Sequence, residues 1–204
     1  QSLGPDSTRV LRTMIQREMN CPSTSSIGRL FDGISALIGL SQIISFEGQA
    51  AMKLEFLADS AVTDLPFFSY HLPLLSSPCS PESLIVDWQP MIHHIVHHLL
   101  EGKDRATIAW SFHRALARLV TDMAERMSCP RVVLSGGVFQ NGLLLSLTDR
   151  LLTSNGFQVF YSHGFGPNDG GLSVGQCLIA GRQFRKRLKG NIRLRQVYSK
   201  KTTA

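Results

Sequence analysis

Apolar residues recur every three or four positions along most of this chain, and the recurrence breaks at clusters of glycine, proline and serine. That period is the apolar face of an α-helix. It predicts a helix from Pro5 to about Arg17, with Val10, Leu11, Met14 and Ile15 on one face and Asp6 or Ser7 as cap. A second helix is predicted from about Ile27 to Leu40. It would turn Leu30, Phe31, Ile34, Leu37 and Ile38 inward, start at Ser25 or Ser26 and be stopped by Gly39. Glu47-Gly48-Gln49 opens a third, through Leu57. Gln89-Pro90 starts a fourth, proline being admissible in a first turn. The longest runs from Asp104, a candidate cap, to Met127, with Ile108, Phe112, Ala115, Leu116, Leu119, Val120 and Met123 in helical register. A sixth begins near Leu143 and closes at Asn155-Gly156, and a last one spans Leu172 to about Phe184.

Short apolar runs predict strands at Leu84–Trp88, around Val132–Leu134 and at Phe157–Tyr161. Pro66 to Pro81, rich in proline and serine, predicts an irregular surface excursion. The run Val132-Val133-Leu134-Ser135-Gly136-Gly137 organises the second half. Paired glycines let a backbone turn tightly and approach a ligand with no Cβ in the way. The helix beyond them is expected to offer free amides and a partial positive charge suited to phosphate. The stretch is either a nucleotide cradle or simply a tight strand-to-helix turn. A second strand–loop–helix unit, ending in Asp169-Gly170-Gly171, favours a sheet with ligand loops at one edge.

At 204 residues, 43% hydrophobic and 18% charged, the chain suits one large domain or two small lobes with a buried core. No apolar run reaches membrane-spanning length, and the polar start Gln1-Ser2-Leu3-Gly4 is no signal peptide. A first residue other than Met suggests a piece of a longer chain. Cys21, Cys79, Cys129 and Cys177 stand far apart, which argues against a zinc knuckle or disulfide framework and fits a reducing cytoplasm. The net charge of +6 is uneven. Nine of the 21 basic residues lie from Arg182 onward, with no acid among them, and the remainder is near −3. Residues 185–204 are expected to be a basic, flexible tail on a lobe of residues 1–184. Contact of Arg185-Lys186-Arg187 with RNA or a membrane is the less favoured reading.

Several residues carry candidate chemistry. Asp32, off the apolar face of the second helix, is either an exposed helix-start acid or an acceptor for ligand hydroxyls such as a ribose diol. Glu47-Gly48 again pairs a carboxylate and a flexible glycine at a helix entry. Asp169 is either a cap or a hard oxygen ligand for a metal beside phosphates. His93/His97 and His94/His98 have the i,i+4 spacing by which a helix presents two imidazoles to one ion, but no H-E-x-x-H pattern accompanies them. Partial exposure to water is the favoured reading for these histidines. His113 is read as a core-edge histidine bonded to backbone.

Four stretches in order resemble one family. They are Thr24-Ser25-Ser26-Ile27-Gly28-Arg29-Leu30-Phe31-Asp32, Phe46-Glu47-Gly48-Gln49-Ala50-Ala51, Ser135-Gly136-Gly137-Val138-Phe139-Gln140-Asn141 and Pro167-Asn168-Asp169-Gly170-Gly171-Leu172-Ser173-Val174-Gly175-Gln176. Together, over about residues 2 to 181, they resemble the C-terminal part of the transferase domain of the hydrogenase-maturation carbamoyltransferases (HypF), relatives of the tRNA threonylcarbamoyl transferases and antibiotic O-carbamoyltransferases. The resemblance implies an α/β fold. It would be the C-terminal lobe of an actin, sugar-kinase and heat-shock-ATPase-like nucleotide-binding fold, helix-rich with a short sheet.

By the same resemblance Asp32 binds the nucleotide ribose, Glu47 and Gly48 follow along the nucleotide, and Gly136-Gly137 with Asn141 contact the adenosine. Asp169 joins two histidines in holding a divalent metal (iron, zinc or magnesium). Those histidines belong to an H-x-x-x-H motif expected in a lobe preceding Gln1, so the pairs in 93–98 do not inherit the role. The implied reaction makes carbamoyl adenylate from carbamoyl phosphate and ATP. The carbamoyl group then passes to the C-terminal cysteine of a partner, HypE. The zinc-finger, acylphosphatase-like and adenylate-forming domains and the first lobe are absent from this sequence, so the fragment alone is expected to be weakly active or inactive. The alternatives are an O-carbamoyltransferase for a small molecule and a non-catalytic nucleotide-binding or assembly module. Neither a membrane nor a nucleic acid is an expected partner.

Overall fold

The computed structural model describes residues 4–61, 67–77, 80 and 82–199. The chain forms two compact units, Gln1–Val132 with Asn141–Val159, and Val133–Gln140 with Phe160–Ala204.

The first unit holds helices α1 (Pro5–Gln16), α2 (Ile27–Leu37), α3 (Gln49–Asp59), α4 (Gln89–Leu100), α5 (Arg105–Met127) and α6 (Gly142–Ser154). Strands β1 (Leu74–Ser76) and β2 (Leu84–Val86) pair antiparallel, Leu75 opposite Ile85. Strands β3 (Arg131–Val133) and β4 (Gln158–Phe160) form a second pair. Gln158 N–H donates to Pro130 O (2.8 Å) and Leu134 N–H to Phe160 O (2.8 Å). The partners advance in the same sense along both strands, so the pair is parallel and α6 is its crossover. The fold is therefore the expected helix-rich α/β arrangement, with its strands in two short sheets.

α5 is the centre of the first unit. Asp104 caps it, accepting from Thr107 N–H (2.8 Å) and Thr107 Oγ1 (2.7 Å), and these bonds hold the carboxyl below its usual range. Alanines at 106, 109, 115 and 117 are buried, which lets α3 and α6 pack closely against it. Phe112 meets Phe31 of α2 edge-to-face, ring centroids 5.0 Å apart. Such a pair adds about 0.5–1.5 kcal/mol beyond the area it buries. Leu54 and Ala58 of α3, Ile95 of α4 and Leu152 of α6 complete the core, each fully buried.

Three expectations are corrected. α1 forms where its pattern predicts, but no residue of it is buried: Val10, Leu11 and Ile15 are exposed, and Gly4 occupies the cap position with no side-chain bond. Periodicity reports amphipathicity, not the presence of a partner face. Second, the Pro/Ser-rich stretch is no mere excursion. It carries β1, and Tyr70 and Leu72 belong to the core; Pro66, Pro78, Cys79 and Pro81 lie outside the described residues. Phe68 N–H donates to Ser111 Oγ (2.9 Å), and Arg114 stacks 3.3 Å over the Phe67 ring. Proline and serine suppress helix here without preventing alternate side chains from pointing inward. Third, in the second unit the last helix, α7 (Leu172–Ser199), does not end near Phe184. Arg, Lys and Leu dominate the continuation and are good helix formers.

His113 lies deeper than a core edge. It is fully buried, with Nδ1 2.8 Å from Ala109 O and Nε2 3.0 Å from Asn141 Nδ2. The neutral tautomer satisfies both contacts: Nδ1–H donates to the carbonyl and Nε2 accepts from the amide. Burial pushes its pKa down to about 4. The unfolded chain therefore takes up a proton here that the folded chain refuses. The stability this histidine confers is complete above about pH 6.5 and falls away as the pH drops toward 4, by roughly 3 kcal/mol at most. In His113→Gln the unfolding free energy should fall less steeply between pH 6.5 and 4. Parallel curves for the two proteins in urea titrations across that range would refute the assignment.

Candidate functional site

The predicted residues divide between the two units. In the first, Asp32 is on α2, its side chain 27% exposed, with Oδ2 3.1 Å from Arg29 Nη1. Arg29 is largely in solvent, and such pairs contribute only about 0–1 kcal/mol, so the carboxylate is not locked away from a ligand. Glu47 is exposed in the turn before α3, and Gly48 takes the cap position at φ 82°, which only glycine adopts freely. The turn is braced by Gln49, whose Oε1 accepts from Ser45 N–H (2.8 Å).

The start of α6 overturns the expectation of free amides. Gly142 N–H and Leu143 N–H both donate to Glu55 Oε1 of α3, at 2.7 and 3.2 Å. Leu144 N–H donates to Asn141 Oδ1 at 2.7 Å. The first-turn donors are thus consumed by the protein's own side chains, and Glu55 already supplies the negative charge that the helix dipole favours. Asn141 is buried, with Oδ1 spent on the cap and Nδ2 on His113, so one amide hydrogen remains for any ligand. Glu55 is the residue that sequence reading misses. It stands 87 residues from Gly142 and has the look of any helix-surface acid; no local signal marks it.

The second unit contains the loops that leave the carboxyl ends of β3 and β4, and the structure ties them together. Gly136 N–H donates to Pro167 O (2.8 Å), with Gly136 at φ 102°. A Cβ on Gly136 would meet nothing within 4 Å, so the glycine is required by torsion and leaves open space before the backbone. Gly137 begins a 3-10 turn to Gln140. On the other loop Asn168 Oδ1 accepts from Gly170 N–H (3.2 Å). Gly166 is crowded instead: a Cβ there would sit 2.9 Å from Asn168 Oδ1. Asp169 opens a second 3-10 turn, exposed and with no ion pair among the described residues. Gly136-Gly137 and Asp169 are thus carried by two linked loops at the position where parallel sheets bind ligands.

Among the described residues, no group of three or more His, Cys, Asp and Glu side chains surrounds a common point for a metal. Asp169 can supply one oxygen ligand and no complete site.

A family model described as "Carbamoyltransferase, Kae1-like Domain, second subdomain" matches residues 2–176. The chain belongs to the HypF carbamoyltransferase family. It is 38% identical over 177 residues to the carbamoyltransferase HypF of Synechocystis, covering 85% of this chain and 22% of that protein. It is 31% identical over 193 residues to a HypF homolog of Cupriavidus necator, covering 89% of this chain and 46% of that one. A crystal structure of full-length HypF in a phosphate- and nucleotide-bound form superposes with a TM-score of 0.78 at 31% identity, over 88% of this chain and 23% of the other. The HypF of T. kodakarensis gives 0.71 at 27%, over 91% and 23%. The chain thus spans a fifth to a half of the HypF proteins it matches. All seven predicted site residues fall inside the family match, whereas the basic stretch from Arg182 falls outside it.

Replacing Glu55 by Ala leaves two first-turn amides of α6 without their charged acceptor. We expect a loss of about 1–2 kcal/mol in chemical denaturation. An unchanged midpoint and slope would show that these bonds do not hold α6.

Proposed function

We propose that this chain is the C-terminal lobe of a carbamoyltransferase and holds the nucleotide side of its reaction. The observation that carries the reading is the linked pair of loops, Gly136 N–H on Pro167 O, in a family that includes a phosphate- and nucleotide-bound HypF. The open space before Gly136 admits a flat base or ribose against backbone. Asp32 and Glu47 supply carboxylates for ribose hydroxyls, and Gly48 the adjoining turn. Asn141 contributes through its one unspent amide hydrogen.

In the reaction we assign to the intact protein, water releases phosphate from carbamoyl phosphate, and the resulting carbamate displaces pyrophosphate from ATP to give carbamoyl adenylate. A thiol sulfur, that of the C-terminal cysteine of a HypE-like partner, attacks the carbamoyl carbon; the carbon–oxygen bond to AMP breaks and AMP leaves. This lobe's part is to bind and orient the nucleotide. A divalent metal (iron, zinc or magnesium) would polarise the carbamoyl oxygen or steady phosphate charge. Asp169 fits as one of its ligands, being exposed, without an ion pair among the described residues, and an oxygen donor; the other donors would come from a preceding lobe. Residues 1–184 form the working lobe in this reading, and 185–204 are an accessory basic segment. No described helix is long and apolar enough to cross a membrane; we place the site of action in the cytoplasm.

In the intact protein, Asp32→Ala and Asp169→Ala should each weaken binding of ATP or a non-hydrolysable adenylate analogue tenfold or more by calorimetry. Wild-type affinity in both variants would sink the nucleotide assignment. The 204-residue chain on its own should transfer the carbamoyl group to its acceptor cysteine weakly or not at all. Turnover at the rate of the intact enzyme would show that no further lobe is needed.

A further inference from the structure

His93 and His97 lie one turn apart on α4, and both are exposed. Residues four apart share a helix face with Cβ atoms about 5–6 Å apart, the spacing by which two imidazoles chelate one ion. The pair also has a supporting carboxylate. His97 Nδ1 is 3.5 Å from Glu101 Oε1, one turn further on, and Glu101 Oε2 is 3.7 Å from Lys103 Nζ. The carboxylate lies near Nδ1 and leaves Nε2 as the ring nitrogen open to an ion, with Glu101 where an orienting carboxylate behind a metal-bound histidine would stand. Met91 and Ile95, fully buried on the opposite side, fix α4 to the core and make it a rigid backing. The neighbouring pair is built differently. His98 stacks on Phe68 with centroids 3.9 Å apart and has Tyr70 Oη 3.1 Å from Nδ1, so it serves packing.

We propose that His93 and His97 form a surface site for a borderline divalent transition ion, Zn²⁺, Ni²⁺ or Cu²⁺, with Glu101 orienting His97. Imidazole ligands select these ions over Mg²⁺ and Ca²⁺. The absence of any three-ligand group among the described residues makes it a two-ligand site. Its remaining positions are open to water or to a donor on another molecule. The site shares no residue with the nucleotide reading and does not rest on it.

Hydrogen-exchange mass spectrometry on the intact protein, with Zn²⁺ or Ni²⁺ as the added probe, tests it locally. Either ion should slow exchange of the α4 amides. His93→Gln or His97→Gln should abolish the effect. Glu101→Gln should raise the half-saturating ion concentration about tenfold, while His94→Gln leaves it unchanged and Mg²⁺ produces nothing. Both ligand side chains are exposed, so the variants keep the fold. Slowing that survives His93→Gln or His97→Gln, that is lost in His94→Gln, or that Mg²⁺ reproduces would overturn the site. An unshifted Glu101→Gln titration would overturn the orienting role.

Discussion

A helix cannot begin inside a protein unless its first amides find acceptors, and the start of α6 is where this chain meets that constraint. Glu55 of α3 takes two amides and Asn141 takes the third. The free end of Asn141 then reaches the neutral ring of His113 inside α5. Three helices are joined by these few polar contacts, and α5 also packs against α3 and α6. Because His113 must stay uncharged to accept from Asn141, the same contact links the core to pH.

That arrangement also removes the α6 amides from the candidate site. With Glu55 at its N-terminus, α6 is electrostatically satisfied and has no amide to spare for phosphate. What remains available are backbone atoms and carboxylates on loops: Gly136 and Gly137 on one, Asp169 on the other, and Asp32 and Glu47 at the helix edges of the first unit. The parallel β3–β4 pair sets where the two loops leave the sheet, and the Gly136–Pro167 bond holds one to the other. Backbone amides and lone carboxylates are groups that can bind and orient a ligand.

Much of this was legible from residue order alone. Helical periodicity located the seven α-helices of the described residues, the Asp104 cap and the glycine that closes α6, because each depends on neighbours within four positions. The motif segments Ser135–Asn141 and Pro167–Gln176 marked the loops, since a torsion such as that of Gly136 leaves its trace in residue type. The family membership followed from the same stretches. What failed were inferences that needed a partner. The apolar face of α1 has no buried residue, and the Pro/Ser-rich segment hid two core side chains, Tyr70 and Leu72.

By itself, then, the sequence determined which segments are helices and strands, where the backbone must turn through glycine, and which family the chain joins, all local or pattern-level properties. Only the tertiary structure decided that Glu55 blocks the α6 terminus, that His113 is buried and neutral, and that Asn141 is spent mostly on architecture. Those outcomes turn on contacts such as Glu55–Gly142 and His113–Asn141, made by residues 87 and 28 positions apart. No local pattern encodes them; the first caps a helix end at the surface, and the second pairs two groups that are desolvated in the core.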